Sequence, residues 1–399
     1  MKSAAENLPR KLGVYVQVPF CQAKCSYCNF HTGVLPAEIF GPYVEAVCRE
    51  IRGYRDLYRT AGLAEWTETA PPFEVDTLYV GGGTPSLLDP RLLEKITEAV
   101  RETFPCAIEE ATLEADPETV TAERARDWRA AGFGRISLGA QSFHDTELKA
   151  VGRRHRRADI FAAARFLSGA RFDNVSFDLI VGLPQQTRES WQASVSELER
   201  LGAVHASIYI LELDEESRLG RETLAGGLRY GAGQLPDEDR VADFYEWVCG
   251  RLAESGYEHY EISNWAMPGF RSHHNLKYWR REPYLGFGAG AHSFDGRERW
   301  ANEHDPKVYV GALRQHRLPV QSRETVDSRQ ALEEELFLGL RQLDGIDLAS
   351  IETRYQVQLG ERINPLAAEG LVVFASGRLR LARSRLTVSN EVFVRLLNA

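Results

Sequence analysis

Cys21, Cys25 and Cys28 place three thiols within eight residues, in the spacing Cys-x3-Cys-x2-Cys. Thiolates are soft ligands, so a short loop presenting three of them reads as a metal site. Zinc would need a fourth ligand, and His31, three residues on, is within reach of that role. A [4Fe–4S] cluster is normally held by four thiolates. Three would leave one iron open to an external ligand, and so reactive. The spacing favours this cluster over zinc. The run from Val18 to Phe30 has no strand or helix period, and it follows an alternating stretch, 13–18, that reads as a strand.

A second motif, Tyr79-Val80-Gly81-Gly82-Gly83-Thr84-Pro85, stands where another strand pattern ends. Glycines let a ligand approach the backbone, and Thr84 adds a hydroxyl. Polar residues recur at later strand ends: Glu114 in Leu-Glu-Ala-Asp-Pro, Gln141 in Gly-Ala-Gln-Ser-Phe and Asp178 in Phe-Asp-Leu-Ile-Val. In a barrel these ends converge on one mouth with the cysteine loop. The basic run 149–157 offers an arginine to an anionic ligand.

Six strand patterns, at 13–18, 75–80, 111–115, 135–138, 174–180 and 206–211, alternate with helix patterns. In the first helix Phe40, Val44, Val47, Ile51 and Tyr54 make one apolar face. The remaining helices are expected near 90–103, 119–131, 158–169 and 187–201. Six such units predict an α/β fold, a partial (β/α)6 barrel of the TIM type with its site at the C-terminal strand ends. The stretch 60–72 reads as a surface insertion, and 220–236, rich in glycine, as a connection without period. A helix at 237–254 and a strand at 257–262 follow. Short helices near 307–315, 329–342, 347–355 and 359–368, a hairpin at 372–381 and a last helix at 390–397 predict a helical, winged-helix-like C-terminal domain. The expected division is 1–235 for the barrel core, 236–305 for a linking region and 306–399 for the C-terminal domain.

The net charge of −9 argues against nucleic-acid binding. No apolar run is long enough to span a membrane, and the polar N-terminus has no secretory pattern, so a cytoplasmic protein is expected. There, Cys48, Cys106 and Cys249, which lack ligand spacing, are expected to be free and mostly buried thiols.

The cysteine spacing, Gly-Gly-Gly-Thr-Pro and the strand-end residues resemble the radical S-adenosylmethionine (SAM) superfamily. Within it, the chain resembles the oxygen-independent coproporphyrinogen III oxidase group over nearly its whole length. The resemblance implies a [4Fe–4S] cluster on the three cysteines, its open iron chelated by SAM, which one electron cleaves to a 5′-deoxyadenosyl radical. It also implies SAM contacts at Tyr15, Gly82, Gly83, Thr84, Glu114, Gln141, Arg153 and Asp178. Backbone near Glu212, and near His292 in Gly286-Phe-Gly-Ala-Gly-Ala-His292, would complete the pocket.

Two departures separate subfamilies. The oxidases carry a further cysteine two residues after the third, where this chain has Phe30, and a longer arm before the first strand. Both features, and His274-Asn275-Leu276-Lys277-Tyr278-Trp279, resemble instead the HemW heme-chaperone family. His and Tyr both serve as axial heme ligands. On a helix His274 and Tyr278 share a face, and Trp279 offers a flat apolar surface; His273 is a further candidate. Gln17 and Asn29 depart from that family's usual histidine and aspartate. The resemblance implies heme binding and delivery to acceptors such as respiratory proteins, with the cluster supporting a homodimer or regulating transfer. Peripheral contact with membrane partners is expected. The rivals are coproporphyrinogen oxidation and another radical SAM reaction on a tetrapyrrole.

Overall fold

Six strands rich in β-branched and aromatic residues pair in parallel and in chain order in the computed structural model, which describes residues 10–63 and 73–398. They are β1 (Arg10–Val18), β2 (Phe73–Gly82), β3 (Cys106–Ala115), β4 (Arg135–Gln141), β5 (Asn174–Val181) and β6 (His205–Ile210). Helices Phe40–Arg52, Pro90–Thr103, Ala122–Ala130, Arg157–Gly169 and Arg188–Arg200 make the crossovers. On β1, Val14, Val16 and Val18 are fully buried in the main core. The alternate residues Tyr15 and Gln17 face the concave side, as the period of two requires. That side is polar on every strand: Thr77, Glu110, Ser137, Ser176 and His205 all face their neighbours across it. The sheet stays open, as a partial (β/α)6 barrel.

Further strands lengthen both edges. β7 (Glu258–Glu261) and β8 (Asn264–Ala266) add to β6, while β9 (Tyr284–Phe287) pairs in parallel with β1. Beyond β9 lie β10 (His292–Phe294), β11 (Glu298–Asn302) and β12 (Val320–Thr325), all antiparallel. The strands of the stretch 258–302 therefore extend the sheet at both barrel edges. The C-terminal part has helices Ser328–Arg341, Leu348–Tyr355 and Gly360–Ala368, the hairpin β13 (Val372–Ala375) and β14 (Arg378–Leu381), and helix Ser389–Asn398. Ser376 and Gly377, both at positive φ, make the hairpin turn.

Three expectations need correction. Residues 220–236 are only partly irregular: they hold most of helix Arg218–Leu224, and the stretch Arg229–Gln234 is helical turns broken at Tyr230 (φ 58°) and Gly231 (φ 78°). The basic run 149–157 is entered from an unforeseen helix, Asp145–Ala150. The third crossover helix begins at Ala122 after a Thr121 cap, not at 119. The surface insertion expected at 60–72 lies, from residue 64 on, outside the described residues. Cys48, Cys106 and Cys249 are free, with only Cys48 fully buried. Burial pushes the Cys48 thiol up to about 11 and Cys249 up to about 12.

Candidate functional site

The cysteine loop leaves β1 and is pinned at several backbone points. Cys21 N–H donates to Gly33 O (3.0 Å), and Gly33 N–H donates back to Pro19 O (2.9 Å). Ser26 N–H donates to Val151 O (3.0 Å), and Leu219 N–H donates to Ser26 O (2.8 Å). Tyr27 packs against Val151, Ile180 and Leu183 at the barrel mouth. The three thiols are free and half-buried. Burial pushes Cys21 and Cys25 up, but the Arg153 guanidinium, 3.7 Å from Cys25 Sγ, pulls Cys25 down. Among the described residues no three His, Cys, Asp or Glu side chains converge on a single-ion site. A single tetrahedral zinc would need such convergence, whereas a cluster places each thiolate on its own iron.

The next strand end fits under this loop. Gly83 N–H donates to Val18 O (2.8 Å) and Thr84 N–H to Phe20 O (2.7 Å). A Cβ on Gly83 would come within 2.6 Å of Phe20 O, and one on Gly82 (φ 112°) within 2.5 Å of the Gln17 carboxamide. The close approach that needs glycine at these two positions is thus by the chain itself. Gly82 N–H and Tyr79 OH donate to Glu114 (2.8 and 2.9 Å). Burial, reinforced by Asp178 and Asp116 against those two donors, pushes Glu114 up to about 7. Arg153 pairs with Asp116 and donates to Gly139 O (2.7 Å); Thr84 Oγ1 donates to the other Asp116 oxygen (3.2 Å). Gln141 ends β4 in the left-handed region, at φ 63°, a strain typical of functional strand ends. Asp178, deeper, accepts from Ser137 and Ser176 (3.0–3.2 Å), and burial raises its carboxyl against that pull.

Tyr15 donates to Gln17 and stacks on Tyr79, with ring centroids 6.0 Å apart. Glu212 is exposed just beyond β6, where Asp214 accepts from Asn29 (2.6 Å) and so ties that segment to the cysteine loop. His292 opens β10 at the rim, and its backbone lies against Gly286.

The expected heme residues do not form one surface. Helix His273–Trp279 plugs the barrel, its first N–H groups (His273 and His274) donating to Glu110 at 3.0 Å. His274 is 1% exposed, with Nδ1 2.9 Å from Thr77 Oγ1 and Nε2 3.0 Å from Tyr278 OH. Burial, with Lys277 and Arg135 nearby, pushes it down to about 3, so the ring is neutral. Its face stacks on Tyr79 at 5.2 Å. Trp279 points elsewhere, under the Arg341 guanidinium (4.7 Å) and along a cleft of about 330 Å³ beside the C-terminal helices. His273 is exposed near Glu109.

With this geometry in place, the relatives are informative. A family model of the radical SAM superfamily matches residues 15–198, and one of the HemN C-terminal domain matches residues 326–384. Heme chaperone HemW of Lactococcus lactis subsp. lactis (strain IL1403) is 31% identical over 98% of this chain and 98% of its own. Heme chaperone HemW of Mycobacterium tuberculosis (strain ATCC 25618 / H37Rv) is 35% identical over 94% of this chain and 92% of its own. The chain belongs to the HemW family. The radical SAM superfamily implies a [4Fe–4S] cluster and SAM. Among solved structures, the radical SAM enzyme coproporphyrinogen III oxidase (HemN) from Escherichia coli superimposes with a TM-score of 0.80. That match covers 97% of this chain and 90% of the other at 22% identity, which establishes the shared fold.

The donor chemistry fits the cofactors that the family implies. Three free thiols share one loop, Cys25 beside the Arg153 guanidinium, and a buried carboxylate and a strained strand end face the same mouth. Sequence reading missed Asp116, although it lies two residues after Glu114 at the same strand end. It also missed the inner polar layer of Arg135, Ser137, Ser176, His205 and Ser207. Their alternation with apolar residues carried that signal, but serines on a strand read more readily as a solvated face.

Proposed function

We propose that the protein binds heme and delivers it to acceptor proteins, respiratory enzymes among them, while carrying a SAM-bound [4Fe–4S] cluster on Cys21, Cys25 and Cys28. The relatives' heme-chaperone names support this reading. The observation that carries it is Phe30: the residue two beyond the last cluster cysteine is an exposed phenylalanine, 65% accessible, and not a thiol. When bound, the cluster and SAM supply one-electron chemistry. The chain's own residues have simpler roles. Arg153 favours the Cys25 thiolate and, held by Asp116, offers a fixed cation to a carboxylate. Glu114 and Asp178 offer acceptors to an ammonium or ribose hydroxyls, Gly82 to Thr84 and Gln141 shape the methionyl side, and Tyr15, Glu212 and His292 border the pocket. Heme delivery in the cytoplasm would need only peripheral contact with membrane partners, since no helix among the described residues is long and apolar enough to cross a membrane. A homodimer is part of the same reading.

The test is anaerobic. Reconstituted protein should bind heme and should not convert coproporphyrinogen III to protoporphyrinogen when given SAM and a reductant. Steady protoporphyrinogen formation would overturn the chaperone reading in favour of the oxidase. Cys25→Ser should lose the cluster, read as iron and sulfide per chain; unchanged content would refute the ligand assignment.

A further inference from the structure

Three imidazoles gather at the rim of the mouth, outside the cradle of strand ends. His31 follows the cysteine loop, His292 opens β10 and His304 follows β11. The His31 and His304 rings lie 4.5 Å apart between centroids, tilted by 37°, and His292 is within electrostatic reach of both. A Cβ on Gly290 would sit 3.1 Å from His304 Nδ1, so the glycine-rich turn before His292 rests on that ring. Pairing of β9 with β1 brings the three together, because the end of β1 carries the cysteine loop. His31 and His292 are exposed, and His304 Nδ1 is buried without a hydrogen-bond partner. On either side of His31 the loop exposes two large apolar side chains, Phe30 and Val34, the latter 60% accessible.

Nitrogen donors beside bare apolar surface suit a flat apolar ligand that carries an iron. Heme iron takes one or two axial protein ligands, and histidine is a standard one. A bare ion would need three or more converging donors, an arrangement absent among the described residues. His274 is poorly placed for the same task, since both ring nitrogens are already bonded inside the barrel.

We infer that heme iron is ligated at this rim by one or two of His31, His292 and His304, with the porphyrin against Phe30 and Val34. The inference rests on the heme-binding reading above and says where the cargo sits. Heme would then touch the same loop that holds the cluster, so cluster occupancy and heme affinity would be linked.

The test uses untagged, full-length, cluster-loaded protein titrated with ferric heme and, separately, with iron-free protoporphyrin IX. Wild type should give a Soret difference band and an electron paramagnetic resonance signal of imidazole ligation. A His31→Ala, His292→Ala, His304→Ala triple variant should bind heme at least tenfold more weakly and lose the imidazole signal. Its binding of iron-free protoporphyrin should be unchanged, which also reports that the fold is intact. Phe30→Ser should weaken both ligands. If the triple variant misfolds, the three single variants replace it, and at least one must alter the signal. Wild-type affinity and spectrum in the histidine variants would overturn the rim site while leaving heme binding intact. Absence of heme binding by wild type would overturn the chaperone reading and the rim site with it.

Discussion

Glu114 sets the chemistry of the mouth against the stability of the chain. Burial holds its carboxyl at about 7, although Gly82 and Tyr79 both donate to it. An unfolded glutamate titrates near about 4.3. The native chain therefore holds this proton more tightly than the unfolded chain does. The resulting stabilisation is complete below about pH 4 and fades as pH rises; by about pH 7 the ionised carboxylate weighs against the fold by roughly 3 kcal/mol. Glu114→Gln removes the titration, and its amide can still accept from Gly82 and donate to Tyr79. Without SAM, the variant should melt higher than wild type at pH 8 and nearly equal to it at pH 4. An equal drop at both pH values would mean that the carboxylate is structural. Such a group is better matched by a cationic ligand group than by the empty fold, so the same variant should bind SAM more weakly.

At the level of elements, long periodic segments were legible in the sequence because their apolar faces are buried on one side. The crossover helices and β1 to β6 fell close to where the pattern put them. The strands β8 to β12 were not legible: they run three to six residues, too short for alternation to show, and they owe their pairing to neighbours far away in the chain. The segment 273–279 shows the limit differently. His274 and Tyr278 share a face and bond to each other, as four-residue spacing predicts, but Trp279 is a further 100° around the helix. It had to face another element, the C-terminal helices. One anchor of this short helix in the barrel is Glu110, which accepts from the N–H groups of His273 and His274 and from Ser272 Oγ (3.3 Å), beside the buried Lys277–Asp76 ion pair (2.8 Å). Glu110→Ala would strand buried donors at about 1–3 kcal/mol each. Denaturant unfolding should register a loss of about 2–4 kcal/mol, with Glu110→Gln losing less. A change under about 0.5 kcal/mol would mean that the Lys277–Asp76 ion pair and the packing of Leu276 seat the helix without it.

Across the whole molecule, the added strands must be fastened to the barrel where the mouth and the histidine rim meet, and Glu50 is that fastening. It is fully buried on helix Phe40–Arg52 and accepts from four groups: Tyr58 OH (2.6 Å), Asn302 Nδ2 (2.8 Å), Gly288 N–H (3.0 Å) and Tyr309 OH (2.5 Å). These come from helix Tyr54–Arg59, the end of β11, the turn after β9 and helix Pro306–Arg314. Burial raises its carboxyl, and the four donors pull it back down. No sequence pattern announces such a residue, since a glutamate on a helix reads as solvated until its partners are known. Glu50→Leu would fill the space but leave four buried donors unmet, a loss of about 4 kcal/mol or more. The damage should be local. Amide hydrogen exchange should rise in 286–304 and in helix Pro306–Arg314, including Ala289 N–H, which donates to Tyr43 OH (2.8 Å). β2 to β5, which share no bond with Glu50, should keep their protection. Because two of the rim histidines, His292 and His304, lie in this same segment, heme affinity should fall while iron and sulfide content holds. Exchange that rises evenly through β1 to β6 would show that the carboxylate supports the whole barrel and not the attachment of β9 to β11.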